Sequence, residues 1–218
     1  MTNSAIPVTP SRADYLETGD RPMDWIRAND PIALFEQWLI KARETELNDP
    51  NAMSLATVDA SGCPDVRIVL LKGLDENGFV FYTNSQSAKG QQLGGTGQAA
   101  LCFHWKSQKR QVRVRGAVES VSVAESDAYF NERARGSQIG AWASEQSRPV
   151  ENREAMVDAV EQVEARFKDI EVSRPPHWHG WRVMPKAIEF WQDGAFRLHD
   201  RRLFTAKAGS WEATRLFP

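Results

Sequence analysis

Apolar positions along the chain follow two different periods. From Asp30 the spacing is helical: Ile32, Phe35, Leu39 and Ala42 share a face, Asp30 supplies a cap and Pro31 suits the first turn. This predicts a helix ending near Leu47 to Pro50. From Met53 the chain changes to short apolar runs between turn residues: Met53 to Val58, Asp65 to Lys72 and Phe79 to Thr83, separated by Ala60-Ser61-Gly62 and Asp75-Glu76-Asn77-Gly78. Such runs predict an antiparallel meander. A short helical piece at Ser87 to Leu93 leads to two more strands, Ala99 to Trp105 and Gln111 to Val121, joined through Lys106 to Arg110.

Ser122 and Glu125 have capping-box spacing and open a helix through Tyr129, Phe130 and Arg133. A second helix is predicted from Asn152 to Phe167, with Met156, Val160, Val163 and Phe167 on one face. After Ser173-Arg174-Pro175-Pro176 come strands at Gly180 to Pro185, Ala187 to Gln192, Phe196 to Ala206 and Trp211 to Leu216, the middle pair turning at Asp193-Gly194. The fold class is mainly β with helices (α+β), about eight strands, most simply a closed antiparallel barrel. Residues 1–28 lack periodicity and read as a flexible arm; residues 29–218 read as a single domain.

Composition narrows the function classes. Of 218 residues, 41% are apolar and 26% charged, the balance of an ordinary globular chain. With 27 Lys and Arg against 29 Asp and Glu, the net charge of −2 gives no global attraction to polyphosphate, so no nucleic-acid partner is expected. Cys63 and Cys102 have no paired spacing, so neither a disulfide framework nor a zinc knuckle is suggested, and a reducing cytoplasm fits best. The aliphatic run Ile68 to Leu71 is far short of the ~20 residues that cross a bilayer, so no membrane partner is expected. Eight Trp against three Tyr is the one unusual ratio.

Several motifs are weighed against plainer readings. Gly95-Thr96-Gly97-Gln98-Ala99-Ala100 has the form of a dinucleotide fingerprint, but its glycines follow a helix and precede a strand, which reads as a turn. His177 and His179 flank Trp178 without a third ligand nearby, so an aromatic surface turn is preferred and no metal is expected. Gln111, Arg113 and Arg115 share one strand face while Val112 and Val114 take the other. More telling are cations beside hydroxyls: Arg67 and Lys72 around the aliphatic run, Ser87 and Lys89 at a helix start, and Tyr129 and Arg133 on one helix face. Each set suits a phosphate monoester, and two sets suggest two phosphorylated ligands. In the C-terminal hairpin, Arg197, His199 and Arg201 are expected to lie on one strand face opposite Trp191.

These residues also carry a family likeness. Ile188 to Arg201 (IEFWQDGAFRLHDR), with Arg67 to Lys72, Phe81 to Asn84 with Ser87 and Lys89, Arg110-Gln111-Val112, Tyr129-Phe130 with Arg133, Ser137 to Trp142 and Gln146-Ser147, resembles the pyridoxine/pyridoxamine 5′-phosphate oxidase family nearly end to end. The resemblance implies an FMN-binding split β-barrel of Greek-key type that works as a homodimer with FMN at the interface. It implies oxidation of pyridoxine 5′-phosphate and pyridoxamine 5′-phosphate to pyridoxal 5′-phosphate, hydride passing from C4′ to flavin N5 and O2 reoxidising the flavin to give H2O2. By the same resemblance Arg67 and Lys89 neutralise the FMN phosphate. Ile68, Val69, Leu70, Leu71, Lys72, Tyr82 and Thr83 line the cofactor, and Gln111, Gln146, Ser147, Trp191 and Arg201 complete its site. Lys72, Tyr129, Arg133 and Ser137 would hold the substrate phosphate. Arg197, Leu198 and His199 would cover the pyridine ring, with Arg197, His199 and Asp49 assisting catalysis and Arg12 and Tyr15 closing from the arm. Ala88 and His179 depart from the usual pattern, which has a basic residue and Gly at those places. The alternatives are a split-barrel flavin or deazaflavin reductase acting on another substrate, and a non-catalytic pyridoxal-phosphate or flavin carrier.

Overall fold

The computed structural model describes residues 11–13 and 23–218. A 3-10 turn at Asp24–Arg27 precedes α1 (Pro31–Thr45). Then follow β1 (Ala52–Val58), β2 (Pro64–Leu70), β3 (Gly73–Asp75), β4 (Gly78–Asn84), α2 (Ala88–Thr96), β5 (Gln98–Trp105) and β6 (Arg110–Ser120). Three helices come next, α3 (Val123–Glu132), α4 (Arg135–Ala143) and α5 (Arg153–Arg166), and then β7 (Trp178–Gln192), β8 (Asp200–Lys207) and β9 (Ser210–Leu216).

The helix starts follow their capping chemistry. Asp30 accepts from the amides of Ile32 and Ala33, Ser87 from Gly90, Ser122 from Glu125 and Asn152 from Ala155. The glycine segment is indeed a helix-to-strand turn, with Gly97 in the left-handed conformation at the end of α2. On α1 the buried stripe is Leu34, Phe35, Trp38 and Ala42, and the helix stops at Thr45. The expected Ile32 and Leu39 lie at its half-buried margins.

All strand pairs are antiparallel, in the order β2-β1-β5-β6-β7-β4-β3, with β8 on β7 and β9 on β8. The sheet curls into a half-barrel. Its ends β2 and β3 do not pair, so the barrel is split rather than closed. Nine strands are present among the described residues because Gly73–Asp75 forms a short pair with β4, and β4 docks on β7 instead of extending a simple meander.

The predicted strands at 180–185 and 187–192 are one continuous β7. It pairs with β6 along residues 181–192, with β4 along residues 178–183 and with β8 along residues 187–192. A bulge between Arg115 and Gly116 accommodates Pro185, and a Cβ on Gly116 would fall 1.8 Å from the Met184 carbonyl oxygen. The core behind this sheet is aromatic: Phe35 meets Phe79, Phe103 and Trp105, while Trp38 packs edge-on to Phe190 at 5.1 Å. Trp25 is buried against Trp38 at 5.2 Å, so packed structure begins before the expected boundary at residue 29.

A second apolar cluster, Phe130, Ile139, Phe167, Val172 and Trp178, fastens α3 to α5 beside the start of β7. Helix α5 contributes half-buried Val160 and Val163, but Met156 is exposed. The separate helix α4 is unexpected from periodicity.

Candidate functional site

The first helix turn of α2, α3, α4 and the mouth of the split sheet enclose a cavity of about 570 Å³. That size lies within the range of small-molecule and cofactor sites. Strand β2 supplies Arg67, Ile68, Val69 and Leu70, and β4 supplies Tyr82, Thr83 and Asn84. Lys72, Lys89, Tyr129, Arg133, Ser137 and Gln146 complete the expected part of the wall. Both proposed phosphate sets therefore open into one space. Four cations line it and, among the described lining residues, no carboxylate does.

Each cation is held differently. The Arg67 guanidinium donates to the Leu55 carbonyl, Thr57 Oγ1, Gln92 Oε1 at 3.1 Å and Asp65 Oδ2 at 2.5 Å, fixing its plane at the cavity edge. Asp65 is held below the usual carboxylate range by its Gln92 hydrogen bond and by the Arg67 charge. Lys89 donates to Gln146 Oε1 at 3.1 Å, and Thr83 Oγ1 donates to the same oxygen at 3.2 Å. Burial, then the neighbouring Arg67 charge, lowers the Lys89 pKa.

Arg133 lies over the Trp178 ring at 4.7 Å, and its buried Nη1 has no hydrogen-bond partner. Burial lowers its pKa, with Tyr129 opposing. A buried guanidinium nitrogen left unpaired is costly unless an anion meets it, so this atom argues for an anionic ligand. Tyr82, Tyr129 and Trp178 form a cluster of near-parallel rings, Tyr82 lying 4.1 Å from Tyr129 and 5.3 Å from Trp178, and Tyr129 6.1 Å from Trp178. Burial, with Glu125 and Tyr129 adding to it, pushes the Tyr82 phenol up to about 12, so it remains a neutral donor. The stack needs Gly180, whose Cβ would lie 2.7 Å from Tyr82 Cε1 and 2.6 Å from Val121 Cγ2.

Trp178, Asn84, Gly140, Ala141 and Ser144 also line the cavity and were not anticipated from sequence. The expected surface turn around Trp178 is corrected: Trp178 is 7% exposed and begins β7, and His179 is half-buried on that strand beside Trp181. Burial and the Arg174 charge lower the His179 pKa. His177 Nε2 lies 3.0 Å from the Ala141 carbonyl. The Asn84 signal lay in the Phe81–Asn84 motif, whereas α4 had no periodic signal to place its small residues.

The remaining expected residues do not reach this cavity within one protomer. Leu71 is buried in the core, Asp49 is exposed in the turn before β1 with φ 43°, and Ser147 is exposed beyond α4 with φ 73°. Arg12 is exposed, and Tyr15 lies outside the described residues. Gln111, Trp191 and Arg201 align in register across β6, β7 and β8 on the face opposite Val112 and Phe190, which enter the core. Trp178 and Trp191 lie on the same strand, and 13 steps at about 3.3 Å give roughly 40 Å along its path.

Arg197 and His199 are not strand neighbours of Arg201 as expected. They occupy a 3-10 turn and its exit, with Phe196 and Arg197 at φ 54° and 65°. The turn replaces a tight hairpin and leaves Arg197 and Leu198 exposed. His199 lies 4.7 Å from the Trp191 ring, and its Nδ1 lies 3.2 Å from both the Gly194 amide and Asp193 Oδ1.

Comparison with known proteins agrees with this geometry. Residues 39–167 match the family model described as pyridoxamine 5′-phosphate oxidase, and residues 178–218 match that of the pyridoxine 5′-phosphate oxidase C-terminal dimerisation region. The chain is 56% identical over 220 residues to a pyridoxine/pyridoxamine 5′-phosphate oxidase of Hyphomonas neptunium, covering 100% of both chains. A protein of the same name from Mesorhizobium japonicum is 58% identical over 196 residues, covering 89% of this chain and 96% of its own. Among solved structures, PhzG from Burkholderia lata 383, in complex with tetrahydrophenazine-1-carboxylic acid, superposes with a TM-score of 0.85 at 28% identity over 91% of this chain and 98% of its own. An FMN-binding protein from Nostoc punctiforme, 16% identical over 88% of this chain and 100% of its own, shares the fold with a TM-score of 0.69. By both halves of its sequence and by its split barrel, the chain belongs to the pyridoxamine 5′-phosphate oxidase family.

Proposed function

We propose that this chain is a pyridoxine/pyridoxamine 5′-phosphate oxidase that binds FMN and oxidises either substrate to pyridoxal 5′-phosphate. The observation that carries this reading is the single cavity with two cation-and-hydroxyl sets, no lining carboxylate and the unpaired buried Nη1 of Arg133. That donor set fits two phosphate monoesters, one on the cofactor and one on the substrate. Arg67 and Lys89 face the cofactor phosphate, with Thr83 and Gln146 beside them. Lys72, Tyr129, Arg133 and Ser137 face the substrate phosphate.

A second copy completes the site. One protomer cannot bring Trp178 and Trp191 to the same ligand across roughly 40 Å of strand, whereas a symmetric dimer brings the Gln111-Trp191-Arg201 row of one copy to the cavity of the other. The matched C-terminal dimerisation region supports this assembly. FMN then lies at the interface, with Arg197 and His199 entering from the same side as Trp191.

Bound FMN would supply the two-electron acceptor for the substrate C4′ carbon, with O2 as the terminal oxidant and H2O2 as its product. The chain's own task is orientation. Holding two phosphates at a fixed separation sets one ring system on the other and converts a bimolecular encounter into an intramolecular one. Arg197 orients the substrate; His199, fixed through Nδ1, offers Nε2 to the substrate, and Asp49 assists. With the amine substrate, water releases ammonia from the oxidised carbon.

No helix among the described residues is long and apolar enough to cross a membrane, and Cys63 and Cys102 are both free. A reducing cytoplasm as the working compartment is part of the same proposal.

The test is to purify the protein, record its visible spectrum, and follow H2O2 and aldehyde with each substrate under air. A flavin spectrum bleached by substrate without O2, with aldehyde and peroxide formed in equal amounts under air, is the expected result. Bound flavin that neither substrate reduces would overturn the oxidase reading in favour of a reductase.

A further inference from the structure

Glu189 is the one buried carboxylate among the described residues, at 5% exposure, yet it does not face the apolar core. It lies two residues before Trp191 on β7, so both side chains share the outer face of the sheet. In register beside it stand Arg113 of β6 and Leu203 of β8. Its Oε2 accepts from Arg113 Nη2 at 2.7 Å. Its Oε1 accepts from Arg201 Nε at 3.0 Å and lies 2.8 Å from Arg201 Nη2. A third contact runs from Arg201 Nη1 to the Phe217 carbonyl at 2.9 Å.

A guanidinium has five N–H donors in one plane. The Nε hydrogen and one Nη1 hydrogen donate hydrogen bonds, and Nη2 stands in ion-pair contact with Oε1, which fixes both the position and the plane of Arg201. Nη1 and Nη2 each keep a hydrogen for a further acceptor. These two belong to a residue in register with Trp191 and Gln111, the row that the proposed function assigns to the cofactor.

We propose that Glu189 is a positioning residue for FMN binding: it holds the Arg201 fork so that its two remaining N–H groups are presented to the cofactor. This rests on the assignment of Arg201 to the flavin site. A buried ion pair adds little to fold stability by itself, because desolvation offsets much of the attraction. Fixing a flexible arginine before its ligand arrives removes an ordering cost from binding instead.

The sign of the effect separates positioning from simple electrostatics. FMN carries a phosphate anion, and one carboxylate between two arginines weakens the local positive field. If Glu189 acted only through its charge, Glu189→Gln would tighten FMN binding. If it positions Arg201, Glu189→Gln weakens FMN binding, by about tenfold in Kd, or about 1.4 kcal/mol.

The experiment titrates FMN into flavin-free dimers of the parent protein, Glu189→Gln, Arg201→Met and the double variant. Kd is read from quenching of flavin fluorescence; Tm and dimer size are measured on the same samples. The expected result is weaker binding in both single variants, no additional loss in the double variant, and unchanged dimer size. Unchanged or tighter binding in Glu189→Gln, or an equal loss when Arg201 is already Met, overturns positioning. Unaltered FMN affinity in Arg201→Met overturns the underlying assignment as well, and so distinguishes that failure. Should Glu189→Gln not fold, Arg201→Lys decides: lysine keeps the charge but not the planar fork. An affinity loss like that of Arg201→Met supports the proposal, and parent-like affinity overturns it.

Discussion

Lys89 shows how one residue's surroundings set a measurable pH dependence. Burial and Arg67 lower its pKa, while a phosphate anion beside it favours the charged form and raises it again. FMN binding therefore draws on protonated Lys89, and affinity falls as pH rises through the lowered value. The expected outcome is an alkaline loss of FMN affinity that begins below the usual lysine range. Lys89→Arg removes that limb, since a guanidinium stays charged there. Fluorescence titration at several alkaline pH values checks this; an identical limb in Lys89→Arg would assign the loss elsewhere. The same shift costs the ligand-free fold stability at neutral pH, and the cost is relieved once the pH passes the ordinary lysine range. At this scale the sequence was informative wherever charge and hydroxyl lay close along the chain, as in Ser87 with Lys89 or Tyr129 with Arg133. Trp178 was not readable in that way, because its partners Tyr82, Tyr129 and Arg133 come from β4 and α3, far away in sequence.

Elements with a strong local signal formed where sequence placed them, and those decided by tertiary contact did not. Helix α1 carries its own cap and apolar stripe, and α2 and α3 carry their own serine caps. Helix α4 has Ala134 at its N-cap, without a side-chain cap, and contains Gly136, Ser137 and Gly140, so its helical state depends on burying Ile139 in the second cluster. Strand β7 was read as two, the first ending at Pro185, yet the bulge opposite Gly116 carries the strand past that proline. The 3-10 turn at Ala195–Arg197 rests on two left-handed residues that no apolar pattern signals. At the start of β7, Gly180 is the element-scale test of the cavity wall. Gly180→Ala places a methyl within 3 Å of Tyr82 and Val121 and is expected to destabilise the protein by about 1–3 kcal/mol through overpacking. Urea unfolding measures it. Because Tyr82 must move, FMN affinity should fall in the same variant, and parent-like values of both would show that the stack yields without consequence.

In the proposed reading, only the whole molecule explains why one chain carries two partial sites. The cavity half holds the phosphate cations, and the C-terminal half, along β7 and the turn after it, holds Trp191, Arg197, His199 and Arg201. Sequence displayed both halves, since their motifs are local, but the distance between them appears only when β7 is seen as one unbroken strand. That separation makes complementation between copies the decisive measurement. Arg133→Met damages the cavity half and Arg197→Leu the other, so each variant alone should be nearly inactive at low substrate. In a mixed dimer one composite site carries both changes and its mate carries neither. Random re-pairing of equal amounts makes half the dimers mixed, so about a quarter of all sites regain the parent arrangement. Unfolding the two variants together and refolding them with FMN should therefore restore roughly a quarter of parent activity, whereas mixing without subunit exchange should restore none. If each site were built within one chain, refolding together would add nothing to the sum of the two variants, and the shared-site reading would fail.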